Sequence, residues 1–498
     1  MIRGPILPDL RPRTQSDILE SSGEGVAINF LGNRISYPEL RGMVESVSSQ
    51  LEIGRGDVVI LSTQNIPQFV IAEYAVWRKG GIVLPVNPSY TQAELDYLAR
   101  DSGAKLVIAS CESNVPSNLP VIRTNPHTFH KVEGWNIPDC EEELNLKSGR
   151  GDRVNYSPQE VAVLMYTSGT TGKPKGVPIT HSNLYASSLI YVRWFQFTGR
   201  DKVLGIAPFF HVTGQVFHVT TPVMAGSQIV ATFRFDPRSA LRTVQEERTT
   251  VTMSVATAYR AMLNSYSGED LTSMRLWSSG GMPMPRALEE EWKRLTGSWI
   301  YMAWGLTETT SPATLWPYPY SGELPVNEMG VVSSGMPVYN TEIELEDGEL
   351  LVRGPQVVKG YWKQEEFKDG WLHTGDIGEI RDGWVYVIDR KKDVIVTSGF
   401  KVMPREVEEV LHLHPGVDEA VVVGIPDEYR GERVVAFVKP RPGAKLNLEE
   451  LKEFCRTRLA PYKVPREIRL VDEIPKTGSG KIMRRAFKEE RSPSHSNS

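Results

Sequence analysis

TSGTTGKPKG, residues 167–176, combines glycines, hydroxyl side chains and two lysines within ten positions. Glycines let backbone N–H groups approach an anion, hydroxyls donate hydrogen bonds to phosphate oxygens, and lysines balance the negative charge. The apolar run VAVLMY at 161–166 predicts a buried strand before this loop, and polar residues at 181–183 predict the start of a helix after it. This order predicts a phosphate-binding loop rather than a flexible polar segment.

A Walker A loop is the nearest alternative, and its spacing does not fit. That motif places four residues between its first glycine and the Gly-Lys pair. Here two residues separate Gly169 from Gly172-Lys173. The loop therefore predicts phosphate binding outside the class of P-loop NTPases.

The composition is typical of a globular protein with more than one domain. A chain of 498 residues exceeds one ordinary hydrophobic core, and its 40% hydrophobic and 23% charged residues are close to average usage. The net charge of −5 lacks the excess of basic residues that binding to nucleic acid or to an anionic membrane requires. We therefore expect small-molecule partners and no nucleic acid.

Targeting and membrane-spanning patterns are missing from the sequence. Residues 1–15 contain prolines and charges where a signal peptide requires an apolar run. No run of 18 apolar residues occurs along the chain. We expect a cytoplasmic protein without a membrane span.

The three cysteines are Cys111, Cys140 and Cys455, and they lie far apart in the sequence. They form no CxxC pair and have no histidine at metal-ligand spacing. The sequence therefore predicts neither a disulfide framework nor a zinc site.

Strand-like and helix-like segments alternate between residues 25 and 310. DVVILST at 57–63 and KLVIAS at 105–110 read as strands, and the helical pattern ELDYLARDSG lies between them. Such alternation predicts α/β layers with a mainly parallel sheet. After Gly335 the pattern changes to short strands joined by Asp-Gly turns, which predicts a small β-rich unit at about 335–390.

The C-terminal hundred residues predict a compact α+β unit. Its elements are a hairpin VIVTSGFKV, a helix beginning near Pro404, two strands, a helix whose Asn447 and Glu450 form a capping-box pattern, and a last strand EIRLV. We therefore predict a large N-terminal domain at 1–391 and a small C-terminal domain at 392–498.

Five further motifs follow the glycine-rich loop: SGGMP at 279–283, WGLTET at 304–309, HTGD at 373–376, DRKKD at 389–393 and PKTGSGK at 475–481. Together with that loop, they resemble the adenylate-forming superfamily over nearly the whole chain. That superfamily includes acyl-CoA synthetases, aryl-acid ligases, luciferases and the adenylation domains of peptide synthetases. The resemblance implies activation of a carboxylic acid as its adenylate, with ATP and Mg²⁺ required and coenzyme A as co-substrate. It also implies that the small C-terminal domain is mobile.

The resemblance assigns ATP or AMP binding to residues from several of these motifs. The glycine-rich loop would hold the phosphates, Gly280 and Gly281 would form the turn against which adenine lies, and Asp376 would accept hydrogen bonds from both ribose hydroxyls. Trp304 stands where most members carry tyrosine and keeps a flat surface. The full set is Thr167, Ser168, Gly169, Thr170, Thr171, Gly172, Lys173, Lys175, Gly280, Gly281, Met282, Trp304, Gly305, Asp376 and Arg390.

Three residues match the family's catalytic positions. Lys481 would bridge the acid's carboxylate and the α-phosphate, and Thr307 would donate to the α-phosphate. Glu308 would hold Mg²⁺, a hard cation that prefers carboxylate and phosphate oxygens.

The resemblance also implies a second half-reaction. Lys392 matches the hinge about which the small domain turns after adenylation, which would withdraw Lys481 and present Ser398-Gly399-Phe400 to the incoming thiol. His211 in PFFH matches the residue that gates the acyl pocket and the thiol tunnel. Gly305 stands where acetate-restricted relatives carry tryptophan, which implies an open floor and an acid longer than acetate.

The leading hypothesis is an acyl-CoA synthetase of fatty acid metabolism that acts on a short- to medium-chain acid or another acid longer than acetate. An aryl-acid ligase of the coumarate or benzoate type is the first alternative. A luciferase-like oxygenase and a non-catalytic nucleotide- or acyl-binding relative are further alternatives. An amino-acid adenylating enzyme is disfavoured because FFHVTG at 209–214 lacks the usual aspartate. Monomer and homodimer both remain open.

Overall fold

The computed structural model describes residues 1–8, 10–147, 150–167, 174–427, 429–478 and 480–488. The strands are β1 Ile2–Arg3, β2 Val26–Phe30, β3 Asn33–Ser36, β4 Val58–Ser62, β5 Ile82–Pro85, β6 Leu106–Ser110, β7 Val121–Thr124, β8 Val161–Thr167, β9 Lys175–Thr180, β10 Lys202–Gly205, β11 Gln228–Ala231, β12 Val251–Ser254, β13 Leu276–Ser279, β14 Ile300–Trp304, β15 Thr314–Leu315, β16 Met336–Pro337, β17 Glu342–Glu346, β18 Glu349–Arg353, β19 Leu372–Arg381, β20 Trp384–Arg390, β21 Ile395–Thr397, β22 Phe400–Val402, β23 Val417–Asp427, β24 Gly431–Pro440 and β25 Glu467–Leu470. The α-helices are α1 Gln15–Glu20, α2 Tyr37–Gln50, α3 Pro67–Arg78, α4 Gln92–Ser102, α5 His181–Trp194, α6 Thr221–Ala225, α7 Pro237–Glu247, α8 Ala256–Ser265, α9 Arg286–Thr296, α10 Pro404–His412, α11 Leu448–Arg456 and α12 Arg484–Lys488.

Two mainly parallel sheets form the large N-terminal part. One has the strand order β7-β6-β4-β5-β8-β9 and the other β16-β15-β14-β13-β12-β10-β11-β2-β3. Helix α3 is buried along its whole length and packs against α1 and α2. A helix that is buried on every side lies inside a layered core. One hydrophobic cluster includes residues of both sheets, among them Ile28, Val59 and Met253.

The phosphate-loop region contains a strand that the sequence analysis did not predict. β8 pairs with β9 in antiparallel register, with Thr167 opposite Lys175. Helix α5 then begins at His181, and its N-cap Thr180 accepts a hydrogen bond from the Asn183 amide at 3.0 Å. Pro178 argues against a strand in the sequence, and the sheet tolerates it because β9 lies at an edge.

The predicted β-rich unit is a separate antiparallel sheet with the order β1-β17-β18-β19-β20. Its two Asp-Gly turns have positive φ at both central residues, 50° and 81° at Asp347 and Gly348 and the same values at Asp382 and Gly383. This is the backbone geometry of a type I′ hairpin turn. Strand β1, from the chain's N-terminal end, adds to the sheet and was not predicted.

The C-terminal part has its own sheet and its own hydrophobic cluster. The sheet order is β22-β21-β24-β23, with β25 paired to β24, and the cluster includes Val407, Ala436 and Leu451. Pro404 is the first residue of α10, and Asn447 caps α11 by accepting from the Glu450 amide at 3.4 Å. The predicted α/β fold class with a smaller α+β C-terminal unit is confirmed, while the boundary at Lys392 stays a prediction.

Polar contacts join the C-terminal part to the large part. The Arg441 guanidinium lies 2.6 Å from the Glu291 carboxylate, and the Arg286 amide donates to the Glu409 carboxylate at 3.2 Å. The Thr257 hydroxyl donates to the Gly480 carbonyl at 2.9 Å. Charged and hydrogen-bonded pairs therefore make a prominent contribution to this interface.

Cys111 and Cys140 form a disulfide, which corrects the expectation from their sequence spacing. Parallel pairing of β6 with β7 places Ser110 opposite Thr124, and the Asn125 side chain donates to the Cys140 carbonyl at 2.7 Å. The chain therefore doubles back and brings the two Cα atoms to 5.9 Å, within the usual range for a disulfide. Cys455 is buried and unbridged. Along the described ranges, no helix has the length and apolar character needed to cross a membrane.

Candidate active site

Lys481 lies at the end of a tight loop that the C-terminal part extends towards the large part. Lys476 and Ile482 form an isolated bridge, and the Thr477 amide donates to the Lys481 carbonyl at 2.7 Å. The hydrogen bond from Thr257 to Gly480 fixes the loop against α8. This arrangement brings Lys481 next to the glycine turn that follows β13.

Gly281 and Lys481 are in close contact. Gly281 has a φ of +80°, and a Cβ at this position would lie 3.0 Å from the Lys481 Cε. A side chain here would therefore displace the lysine and strain the backbone. Its neighbour Gly280 directly follows β13, and Met282 packs partly against the main core.

A small cavity of about 30 Å³ contains Lys481, Thr307, Gly280, Trp304 and Gly305 in its lining. Burial and the nearby Arg390 charge lower the pKa of Lys481 to about 8, against the opposing influence of Asp376 and Glu308. The lysine from the C-terminal part and the two carboxylates of the large part are therefore close enough to interact electrostatically.

Asp376 and Arg390 face each other across the β19–β20 pair. The Arg390 Nε lies 2.6 Å from the Asp376 Oδ1, and the Trp304 indole N–H donates to Oδ2 at 2.8 Å. Burial raises the pKa of Asp376, and the Arg390 charge opposes that rise. Each carboxylate oxygen has one strong partner and can still accept another hydrogen bond, which suits recognition of two neighbouring hydroxyls. Trp304 thus orients Asp376 as well as offering a flat ring.

Glu308 lies in the short 3₁₀ turn Thr307–Thr309 and is 7% exposed. Its Oε1 accepts a hydrogen bond from the Tyr361 hydroxyl at 3.0 Å, and the Lys175 ammonium lies 4.8 Å from the centre of the Tyr361 ring. Tyr361 was missed by the sequence analysis because it belongs to no motif. Burial and the Glu308 charge raise its pKa.

The surroundings of Glu308 fit a Mg²⁺ ion that is shared with phosphates. Glu308 is buried, and it forms no ion pair with a lysine or arginine among the described residues, a situation that favours a bound cation. No cluster of three or more potential metal-ligating side chains occurs in the described ranges. One carboxylate together with substrate phosphates is a usual way for proteins to bind Mg²⁺.

Part of the predicted phosphate loop lies outside the described residues. Thr167 and Lys175 are described, and they face each other at the ends of β8 and β9. The first residue of β9, Lys175, therefore lies beside Tyr361, which in turn contacts Glu308. The predicted residues outside the described ranges are Ser168, Gly169, Thr170, Thr171, Gly172 and Lys173.

Gly305 lines the small cavity, and the open floor expected at this position stays a prediction. A Cβ on Gly305 would overlap the carbonyl oxygen of Ser311 and lie 2.8 Å from the Thr309 hydroxyl. Glycine is required here because the turn that contains Ser311 folds back against it.

His211 lies between the small cavity and a larger one of about 420 Å³. The Thr213 amide donates to the His211 Nδ1 at 3.3 Å. Burial and the Lys481 charge lower the pKa of His211 to about 3, which keeps the ring neutral. The larger cavity contains Trp135, Arg234 and, from the C-terminal loop, Lys476 in its lining.

The predicted hinge and thiol-side residues lie away from both cavities. Lys392 is exposed in a turn closed by the hydrogen bond from the Asp393 amide to the Arg390 carbonyl at 2.9 Å. Ser398, Gly399 and Phe400 form the exposed tip of the β21–β22 hairpin, where Phe400 stacks on Tyr462 at 4.7 Å. The structure does not bring this hairpin to Lys481.

Most of the chain also matches the models of a known protein family. Residues 18–362 match the family described as AMP-binding enzyme, and residues 406–481 match its C-terminal domain. The chain belongs to this family, the adenylate-forming superfamily.

The chain is also similar to several CoA ligases over almost their full length. A long-chain-fatty-acid–CoA ligase of Bacillus subtilis is 34% identical over 98% of this chain and 96% of its own. A feruloyl-CoA synthase of an Amycolatopsis species is 30% identical over 93% of this chain and 95% of its own. The o-succinylbenzoate coenzyme A synthetase of Bacillus subtilis, solved with ATP and a magnesium ion, has a TM-score of 0.80 and 27% identity, covering 96% of this chain and 100% of that one.

These similarities confirm the predicted class. The protein is an AMP-forming acid–CoA ligase that uses ATP, Mg²⁺ and coenzyme A. The roles of its individual site residues stay predictions.

Proposed function

We propose that this protein is an acyl-CoA synthetase of fatty acid metabolism for a short- to medium-chain acid longer than acetate. The observation that carries the proposal is the placement of Lys481 from the C-terminal part beside Thr307 and within electrostatic reach of Asp376 and Glu308. A lysine, a ribose-binding carboxylate and a metal-binding carboxylate are the groups that adenylation requires.

In the first half-reaction, an oxygen of the acid's carboxylate attacks the α-phosphorus of ATP, and pyrophosphate leaves. Lys481 holds the carboxylate against the α-phosphate and neutralises the charge that builds up there, while Thr307 donates a hydrogen bond to the same group. Asp376, oriented by Trp304 and Arg390, binds the ribose hydroxyls. Glu308 would hold Mg²⁺, which supplies positive charge to the phosphates when bound.

In the second half-reaction, the thiol sulfur of coenzyme A attacks the acyl carbon and AMP leaves. Rotation about Lys392 would withdraw Lys481 and bring Ser398-Gly399-Phe400 to the site. The polar interface between the two parts suits such a rearrangement because its groups can bind water when they separate.

An aryl-acid ligase remains the second candidate, favoured by the similarity to feruloyl-CoA synthase. Acid-dependent exchange of labelled pyrophosphate into ATP, measured across aliphatic acids from acetate to palmitate and across benzoate, coumarate and ferulate, separates the two. We expect the highest kcat/KM with an aliphatic acid longer than acetate. A preference for an aryl acid would replace the leading proposal with this second one.

The pH dependence of adenylation should follow the protonation state of the Lys481 side chain. Its pKa is lowered to about 8, so the ammonium is charged below that pH and loses its proton as the pH rises through it. We expect kcat/KM for ATP in the exchange reaction to fall about tenfold for each pH unit well above 8. Lys481→Arg should retain some activity without this alkaline fall because a guanidinium stays charged. A wild-type profile that stays flat up to pH 10 would contradict this role.

A further inference from the structure

A network of charged side chains extends from α9 of the large part to the loop that carries Lys481. The Glu291 carboxylate of α9 lies 2.6 Å from the Arg441 guanidinium of the C-terminal part and 2.5 Å from the Arg260 guanidinium of α8. The Arg260 Nε in turn lies 3.8 Å from the Asp418 Oδ1, near the start of β23. An ion pair therefore crosses between the two parts at Arg441, and another crosses at Asp418.

Within the C-terminal part, the network continues to the base of the catalytic loop. The Lys439 ammonium lies 3.1 Å from the carboxylates of both Asp418 and Glu419. The Lys476 ammonium lies 2.8 Å from the Glu419 carboxylate. Lys476 lies at the start of the loop that ends with Lys481, and an isolated bridge at Lys476 closes that loop. The charges that contact α8 and α9 are thus linked to the base of the loop that presents Lys481.

Helix α8 contacts the C-terminal part at two points on one face. The Thr257 hydroxyl donates to the Gly480 carbonyl at 2.9 Å, directly before Lys481 in the chain. Arg260 pairs with Asp418, and residues three positions apart lie on the same face of a helix. Contacts at two points restrict how the C-terminal part can tilt, so they favour one position of Lys481 in the small cavity.

Arg260 and Asp418 are the buried members of the network. Their side chains are 7% and 2% exposed, whereas those of Arg441 and Glu291 are 31% and 23% exposed. The Asp418 Oδ1 accepts no hydrogen bond from the described residues, so the Arg260 charge offsets part of the cost of burying it. Removal of Arg260 should therefore have a larger effect than removal of the partly exposed Arg441.

We infer that Arg260, Glu291 and Arg441 are positioning residues for adenylation, because they hold the C-terminal part in the orientation that places Lys481 in the small cavity. Within the described ranges, none of these three residues lines either cavity, so they act through Lys481 rather than on the substrates. This inference rests on the proposed function. It adds that charged pairs at a distance from the site select the orientation in which adenylation occurs.

The test measures both half-reactions of Arg441→Gln, with the acid that supports exchange best in the wild type. The kcat of pyrophosphate exchange should fall about three- to fivefold, the effect of losing a partly exposed ion pair. The KM for ATP should stay near the wild-type value, because Asp376 and Glu308 belong to the large part. Thioester formation from supplied acyl-adenylate and coenzyme A should be retained, because that step requires a different orientation of the C-terminal part.

Two further substitutions separate the contact from general effects of lost charge. Arg441→Lys keeps the positive charge and should restore most of the exchange activity. Arg433→Gln is the matched control, because Arg433 belongs to β24, directly before Arg441, and pairs at 3.2 Å with Glu467 of the same part. Its side chain is about as exposed as that of Arg441. Arg433→Gln should leave both half-reactions near the wild-type rates.

A double-mutant cycle tests whether the charged residues act together. Residues in one contact are not additive, so Glu291→Gln combined with Arg441→Gln should lose little more exchange than Glu291→Gln alone. Arg260→Gln should reduce exchange by about tenfold or more, since it leaves buried Asp418 without its partner. If Arg260→Gln does not fold, which circular dichroism would reveal, the variants at Arg441 and Glu291 keep the test complete.

The inference is overturned if folded Arg441→Gln and Glu291→Gln both keep wild-type exchange. Equal losses in both half-reactions would also overturn it, because they would indicate a purely structural role, and so would losses that multiply in the double variant. Each of these results leaves the proposed function standing as long as the wild type exchanges pyrophosphate best with an aliphatic acid longer than acetate. Absence of exchange by the wild type with every acid would instead remove the proposed function itself.

Discussion

We expect Lys481→Ala to abolish acid-dependent pyrophosphate exchange while largely sparing thioester formation from a supplied acyl-adenylate and coenzyme A. Lys481 is the ammonium that enters the small cavity from the C-terminal part, and loss of a preorganised charge at a reacting phosphate costs about a hundredfold to a thousandfold in rate. The second half-reaction begins from an adenylate that already exists, so it does not need this group. Rapid-quench measurement of each half-reaction checks the prediction.

Lys452→Ala is a suitable control for Lys481→Ala. Lys452 belongs to α11 in the same part of the chain, and its ammonium donates to the Arg466 carbonyl at 3.0 Å on the surface. Its replacement should leave both half-reactions near the wild-type rates. Equal losses in both half-reactions for Lys481→Ala would contradict the idea that this lysine serves adenylation alone.

The opposite pattern is expected for Lys392→Pro. Proline fixes φ near −65° at residue 392 and restricts the preceding Lys391, whose amide donates to the Gly375 carbonyl at 2.9 Å. If the C-terminal part turns about this residue, thioester formation from supplied adenylate should fall by more than tenfold, with pyrophosphate exchange retained. The same pair of half-reaction measurements applies.

Lys392→Ala separates the backbone effect from the loss of charge. It removes the exposed ammonium and keeps the rotational freedom of the backbone, so thioester formation should stay well above that of Lys392→Pro. If both variants lose thioester formation equally, the side chain matters and the hinge assignment is wrong. If Lys392→Pro forms thioester at the wild-type rate, rotation does not occur at this residue.

The sequence predicted the fold class and the association of distant motifs because both depend on local patterns. Asp-Gly pairs require positive φ and so identify the hairpins at Asp347-Gly348 and Asp382-Gly383. The ordered motifs predicted that Asp376, Glu308 and Lys481 meet, and the structure brings them within electrostatic reach. Their chemical roles still depend on the experiments above.

Features that depend on three-dimensional proximity could not be predicted in this way. The Cys111–Cys140 disulfide results from the pairing of β6 with β7, which sequence spacing does not reveal. The closeness of the Ser311 carbonyl to Gly305 could not be predicted either, because a turn brings that carbonyl there. Tyr191 lines the small cavity from a helix that carries none of the motifs.

The separation of the main hydrophobic cluster from the clusters of the C-terminal part has a consequence for how the protein loses its structure. The main cluster belongs to the large part, whereas the cluster with Val407, Ala436 and Leu451 belongs to the C-terminal part. Each cluster can melt without exposing the other, so heating need not produce a single all-or-none transition. Calorimetric traces are then sums of two events, and a substitution near Tyr191 should move the one that belongs to the large part.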